Sequence, residues 1–331
     1  MTADRSRRGA SSTSRRKRSA RSPRSAEGSS ASASPGDPSP STGGEAASVR
    51  AGLGAGAIRD LAERHGVRPT KALGQNFLID PNLARAIAAD AGVGPGSRVV
   101  EVGAGLGSLT VALAATGAEV LAVEFDRPVV AALREVVRPL ERVRVLEADV
   151  MRLDWGAELD GSGWVLCANL PYNIATPLIL DVLVGVPQVE RALVMVQREA
   201  GERLAAAPRD DAYGAVSVRV AARARATVVR KVPPAVFWPR PAVSSVVVRI
   251  GRLTSTSIDP DDVDLWRVVE AGFAERRKTM RNALRRLGLE AGAADEVLAR
   301  RGLAPNVRAE ELGLDAFAAI AADVRELEGV A

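Results

Sequence analysis

Five short apolar runs, the first two followed by a turn and a helical stretch, restrict the fold of this chain more than any other feature. Arg98–Val102, Glu119–Glu124, Val143–Leu146, Trp164–Ala168 and Ala192–Gln197 have the length and β-branched content of buried strands. Strands alternating with helices predict an α/β, doubly wound parallel sheet, with ligands bound at the carboxyl ends of its strands. Two helices, Ala57 to His65 and Pro81 to Ala91, precede the pattern. Two further strands follow it, Arg225 to Lys231 and Val243 to Ile250, the second with alternation. From Asp261 the pattern becomes several short helices. At 331 residues and 47% hydrophobic, the chain can build a large core and two domains.

Charge separates a tail from this body. Residues 1–50 hold ten basic and four acidic residues, are rich in Ser, Arg, Pro and Gly, and show no period. They are expected to be a disordered basic tail. The remaining 35 basic and 36 acidic residues nearly cancel, yet they are sorted. Arg219 to Arg252 contains eight basic residues and no acid, and Arg276 to Arg286 six and none. Such sorting suggests a phosphate-facing surface, although solvated faces in an arginine-rich protein would look similar. One His and one Cys (Cys167) exclude a disulfide framework and a Cys/His zinc centre and argue against Ser-His-Asp chemistry. No metal is expected. No run of eighteen apolar residues exists to span a membrane, and a cytoplasmic location is expected.

The first strand leads into Glu101-Val-Gly103-Ala-Gly105-Leu-Gly107-Ser108. Glycine lets backbone approach a ligand where a Cβ would clash. The dinucleotide fingerprint needs glycines at spacings 0, 2 and 5, and here position 5 is Ser108, so a pyrophosphate is not indicated. Glu124 closes the second strand, where a carboxylate can bind ribose hydroxyls, and Asp149 closes the third, where it can accept from an adenine amine. The ligand reads as a nucleoside, and S-adenosylmethionine fits.

The fourth strand ends in Asn169-Leu170-Pro171-Tyr172. The Asn169 side-chain oxygen and the Leu170 carbonyl can accept from an exocyclic amine, and the Tyr172 ring can stack on its base. An adenine or cytosine amine is a poor nucleophile because its lone pair is delocalised. Two acceptors favour a pyramidal, more nucleophilic nitrogen. An ordinary strand-to-loop turn would show the same four residues.

Taken together, these motifs resemble the ribosomal RNA adenine dimethyltransferases, and among them the small-subunit branch, over about Ile58 to Ala321. The resemblance is carried by Lys71 to Leu78, Gly103 to Thr110, Val123 to Asp126, Glu147 to Asp149 and Asn169 to Ile174. It continues through Val232 to Pro241 and Phe273 to Asn282. It implies a Rossmann-like class I methyltransferase with a seven-stranded sheet (51–255) and a C-terminal helical RNA-binding domain (256–331). It implies cofactor contacts from Asn76, Leu78, Gly103, Glu124, Asp149 and Asn169. Catalysis would fall to Asn169 with the Leu170 carbonyl, and base stacking to Tyr172 and Phe237. Arg240, Arg276, Arg277, Lys278 and Arg281 would meet RNA, with the acid-free stretch 219–252. The implied activity is dimethylation at N6 of two adjacent adenines of small-subunit rRNA in an immature 30S particle, by a monomer. Two departures stand out: Ala104 where most relatives have Pro, and Gly201 where the pattern usually has Ala. A large-subunit adenine methyltransferase, a ribosome-assembly factor and a nucleoside-binding protein of other chemistry are the rival readings.

Overall fold

The computed structural model describes residues 52–70, 74–275 and 277–330; the expectations placed on the 1–50 tail, Lys71 and Arg276 lie outside them. The chain order is β1 (Phe77–Leu78), β2 (Arg98–Val102), β3 (Glu119–Glu124), β4 (Val143–Glu147), β5 (Trp164–Asn169), β6 (Val189–Gln197), β7 (Ala224–Val232), β8 (Phe237–Trp238) and β9 (Ser245–Arg252). Seven of them form one sheet in the order β4-β3-β2-β5-β6-β9-β7. Strands β2 to β6 are mutually parallel, whereas β9 runs antiparallel between β6 and β7. The sheet is therefore mixed, not wholly parallel. Strand order reverses at β2/β5, the switch point where such sheets open a ligand crevice.

Local signals explain the helix starts. Asp80 caps Pro81–Asp90 by accepting from the backbone N–H of Asn82 and Leu83, with Pro at the first turn, and Asp262 caps Val263–Phe273 in the same way. The alternation read for 243–250 becomes a continuous buried run, Ser245 to Val248, because β9 has a strand on each side and cover on both faces. One face packs Ile58, Ile87, Leu113 and Leu133, the other Leu166, Leu178, Val182 and Val220. Cys167 is fully buried and burial pushes its thiol up, as expected of a core residue.

After β9, helices Val263–Phe273, Met280–Arg286, Ala291–Arg300 and Leu314–Val330 enclose their own cluster around Leu265, Met280, Leu298 and Phe317. Tyr213 and Val218, which precede β7, are built into that cluster, and the Tyr213 hydroxyl donates to the Leu312 carbonyl at 2.8 Å.

The structure accounts for Gly201. A Cβ there would stand 2.2 Å from Val246 Cγ2 and 3.0 Å from Val248 Cγ2. Helix Arg198–Ala205 can lie on β9 only because this residue has no side chain. Gly201→Ala should therefore destabilise the protein by roughly 1–3 kcal/mol, as overpacking does, despite alanine's better helix propensity. Adding Val246→Ala should recover part of that loss. Denaturant unfolding of both variants checks the sign, and an additive double variant would contradict the steric account.

Candidate cofactor and base site

The carboxyl ends of β2, β3, β4 and β5 surround a cavity of about 260 Å³. Six of the expected contacts line it, namely Asn76, Leu78, Gly103, Glu124, Asp149 and Asn169, together with Leu170 and Tyr172. The turns that shape it are glycine-dependent. Gly103, Gly105 and Gly107 all have positive φ (67°, 57° and 87°), where other residues are strained. A Cβ on Gly103 would press on Pro171 at 3.3 Å, and one on Gly105 on the Phe77 ring at 3.1 Å. Ala104 donates its N–H to the Val123 carbonyl at 3.2 Å, a bond that proline at this position could not make.

Segment 74–78 forms a wall of the cavity and is fastened by three side chains. Gln75 Nε2 donates to Asp126 Oδ2 at 2.7 Å, Ser108 Oγ to the Leu78 carbonyl at 2.6 Å, and Asn169 Nδ2 to the Asn76 carbonyl at 3.0 Å. The serine that breaks the dinucleotide fingerprint thus holds this wall. The third bond orients the site: with Nδ2 engaged, Asn169 presents Oδ1 as an acceptor. Neither Asn169 Oδ1 nor the Leu170 carbonyl accepts a hydrogen bond from any described residue. Tyr172 stands beside them, its hydroxyl 3.2 Å from Ser245 Oγ, with burial pushing the phenol up.

Glu124 is more occupied than a free ribose acceptor. Its Oε2 accepts from the Gly105 N–H at 3.0 Å, and its Oε1 from Phe125 and Asp126 at 2.9 and 3.1 Å. Burial raises its carboxyl against those bonds. It holds the glycine turn in shape while keeping lone-pair capacity for a ligand hydroxyl. Asp149 is exposed and accepts from the Met151 N–H at 3.0 Å.

Three cavity residues escaped sequence reasoning. Glu101 is 1% exposed, its Oε2 has no hydrogen-bond partner, and burial, with the nearby Glu124 charge adding to it against the Thr110 hydroxyl, pushes its carboxyl up to about 8. A buried, unpartnered carboxylate facing a cavity suits a cationic ligand. Phe125 and Met151, both large, apolar and substantially exposed, follow the acids of β3 and β4 and line the same cavity, as flanks for a planar base would. The signal in the sequence was an apolar residue one or two places after each strand-end acid.

Other expectations are redirected. Phe237 is 3% exposed and does not line the cavity: β8 pairs Phe237 with Leu78 and Trp238 with Phe77, so Phe237 sits in the core behind the wall. The rings that line the cavity are Tyr172, Phe77 and Phe125. Arg281 is held by Asp295 through two bonds of 2.5 and 2.9 Å, so its charge is spent within the helical region. Arg240, Arg277 and Lys278 are exposed.

The family model of ribosomal RNA adenine dimethylase matches residues 67–324. The chain belongs to this family. Among similar proteins, the ribosomal RNA small subunit methyltransferase A of Kineococcus radiotolerans is 44% identical, covering 82% of this chain and 91% of that protein. The protein of that name from Thermobifida fusca is 44% identical (80% and 93%), and that from Moorella thermoacetica 42% (78% and 94%). Two solved structures share the fold of this adenine dimethylase: a dimethyladenosine transferase from Plasmodium falciparum and the 23S rRNA methyltransferase ErmE. The first has TM-score 0.62 and 22% identity, covering 76% of this chain and 98% of that one; the second has TM-score 0.57 and 23% identity, covering 76% and 100%.

S-adenosylmethionine use follows from this membership, and the dimethylase cavity fits that cofactor on its own chemistry. The orphaned Glu101 carboxylate answers a cation, and the glycine turn leaves a cradle that side chains would fill. Among the described residues no group of three His, Cys, Asp or Glu is placed to hold a metal ion, and no helix is long and apolar enough to cross a membrane.

Cation binding should draw the Glu101 proton out. Because burial raises this carboxyl in the free protein and a cation would lower it, S-adenosylmethionine affinity should rise with pH up to about 8 and level off above. Calorimetry in buffers of different ionisation enthalpy should detect proton release, and Glu101→Gln should abolish it. Proton release unchanged in that variant would reject the assignment.

Proposed function

We propose that this chain transfers methyl groups from S-adenosylmethionine to N6 of two adjacent adenines in the 3'-terminal hairpin loop of small-subunit rRNA, acting on an immature 30S particle in the cytoplasm as a monomer. The observation that carries the reading is the Asn169–Asn76 bond, which engages the amide nitrogen and leaves the amide oxygen, like the Leu170 carbonyl, without an internal donor at residues that line a nucleoside-sized cavity. The 42–44% identical small-subunit enzymes support the choice of RNA.

S-adenosylmethionine, when bound, supplies a methyl already activated on sulfur. Asn76, Leu78, Gly103, Glu124 and Asp149 would hold its adenosine, Phe125 and Met151 would offer apolar flanks for a planar base, and Glu101 would answer its positive charge. The target adenine must leave its stack to reach the cavity, where Tyr172 stacks on it. Asn169 Oδ1 and the Leu170 carbonyl accept the two N–H bonds of its amine and favour the pyramidal nitrogen. The proton can leave after attack, so no histidine is needed, and the residues work by positioning and by excluding water. A singly methylated nitrogen still has one hydrogen for a second round. The turn between helices Val263–Phe273 and Met280–Arg286 presents Arg277 and Lys278 to the RNA backbone, with Arg240 contributing from the catalytic region.

Incubation with labelled S-adenosylmethionine and immature small subunits, followed by base mapping, tests the reading; label in large-subunit RNA instead would overturn it. Asn169→Ala should lower transfer by at least about a hundredfold, the scale of losing an aimed polar group, while stability falls by only about 1 kcal/mol, the cost of one hydrogen bond. Normal turnover in that variant would remove the amine-activation role. Arg277→Glu with Lys278→Glu should weaken RNA binding and flatten its salt dependence by about one log unit per lost phosphate contact, leaving S-adenosylmethionine affinity intact. Equal loss of both affinities would refute that division.

A further inference from the structure

The acid-free stretch 219–252 is not one surface. Arg219 and Arg223 are paired with Glu270 and Asp261, each at 2.5 Å, and both lie over the Trp266 ring. Arg252 points inward and donates to the carbonyls of Val182, Leu183, Val186 and Val189, tying the end of β9 to the end of helix Ala175–Gly185. Arg230 is taken by Asp90. These four hold the fold together, and they explain half of the run without any ligand.

Arg225 and Arg249 behave differently, and a residue outside the run joins them. Arg225 lies at the start of β7, second in the strand, Arg249 near the end of β9 and Arg191 near the start of β6, so all three stand at the end of the sheet opposite the cofactor cavity. Gly251 is the Cα partner of both Arg191 and Arg225, and Arg249 is the partner of Leu193 and Thr227. With strands about 4.8 Å apart, Arg191 and Arg225 stand roughly 10 Å apart across a residue with no side chain. A Cβ on Gly251 would meet nothing within 4 Å, so the space above it is open. The result is a groove of about 630 Å³ lined by Arg191, Arg225, Thr227 and Arg249 against the end of helix Pro81–Asp90.

Its electrostatics are unbalanced. Arg191 donates to the Gly92 carbonyl and Arg249 to the Asp90 carbonyl, both at 3.2 Å, so both guanidiniums are oriented by backbone carbonyls and neither is paired with a carboxylate. Arg225 has no partner among the described residues. The one acid in the lining is Asp90, and Arg230 already occupies its carboxylate at 2.7 and 2.9 Å. Three aimed, unneutralised guanidiniums around an open floor form a receptor for phosphate oxygens, which planar forks bind in pairs.

We propose that this groove is a second docking site for the RNA phosphodiester backbone, at the far end of the sheet from the methyl-transfer cavity. It rests on the RNA substrate proposed above and adds to it a requirement of size. A hairpin shorter than the path from the cavity to the opposite end of the sheet cannot engage both sites. A folded ribosomal particle can. The groove therefore makes the enzyme prefer the particle over the isolated hairpin.

The test compares wild type with the Arg191→Gln/Arg225→Gln/Arg249→Gln variant on two substrates, immature small-subunit particles and a short RNA hairpin carrying the target loop. Particle binding should weaken roughly tenfold or more, with the slope of log affinity against log salt reduced by about two to three units. Transfer to the hairpin, S-adenosylmethionine affinity and the unfolding midpoint should stay near wild type. Arg225→Gln alone, which breaks no intramolecular bond, should show a smaller loss in the same direction, and Arg225→Lys should restore much of it. Unchanged particle affinity and salt slope would overturn the groove as an RNA site. Parallel loss on particle and hairpin would also overturn it, by tying these arginines to the cavity. Failure of the wild type to methylate either RNA would instead strike the proposed function.

Discussion

The hydrogen bond from Asn169 to the Asn76 carbonyl joins residues 93 positions apart and does two things at once. It closes segment 74–78 over the carboxyl end of the sheet, and it decides which end of the Asn169 amide faces the cavity. The surroundings are arranged to keep that bond in place. Ser108 and Gln75 fix the same segment from two other elements, and Pro171 rests on Gly103, where a Cβ would have pushed it away. The fit between the glycine turn, the strap and the Asn-Leu-Pro-Tyr loop is therefore mutual, and a shift in any of the three would re-aim the acceptor by an amount that matters for chemistry.

Most of the architecture was legible because the strands are short, apolar and separated by recognisable turns. Arg98–Val102 and Glu119–Glu124 are read with the bounds the structure gives. The antiparallel placement of β9 was not legible, since alternation reports burial and not direction, and β9 is buried on both faces. The two-residue strands Phe77–Leu78 and Phe237–Trp238 carry no period at all. That is also why Phe237 was expected in the site: a motif fixes position in the chain, while a pairing across 160 residues put its ring in the core.

The site shows the same division. Residues whose role depends on standing at a strand end, such as Glu124, Asp149 and Asn169, follow from sequence position. Glu101 does not, because its significance lies in burial and a missing partner, and both are products of packing. Charge sorting was legible as a pattern but not as a surface. Of the eight basic residues between Arg219 and Arg252, Arg219, Arg223 and Arg230 found carboxylates and Arg252 found carbonyls. Arginine serves as both internal clamp and external receptor, and composition cannot distinguish them.

The contact between Gly201 and Val246 carries a consequence for how such a chain can change. The two positions form a lock in which order matters. While valine stands at 246, alanine at 201 is costly, and a smaller residue at 246 removes the closest of the contacts it would make. Exchange between the two packings therefore has one permissive direction of travel, through the strand first and the helix second. A designer who copies alanine into this helix from a relative, without first reading the strand beneath it, would import a residue that is harmless in one background and a wedge in this one.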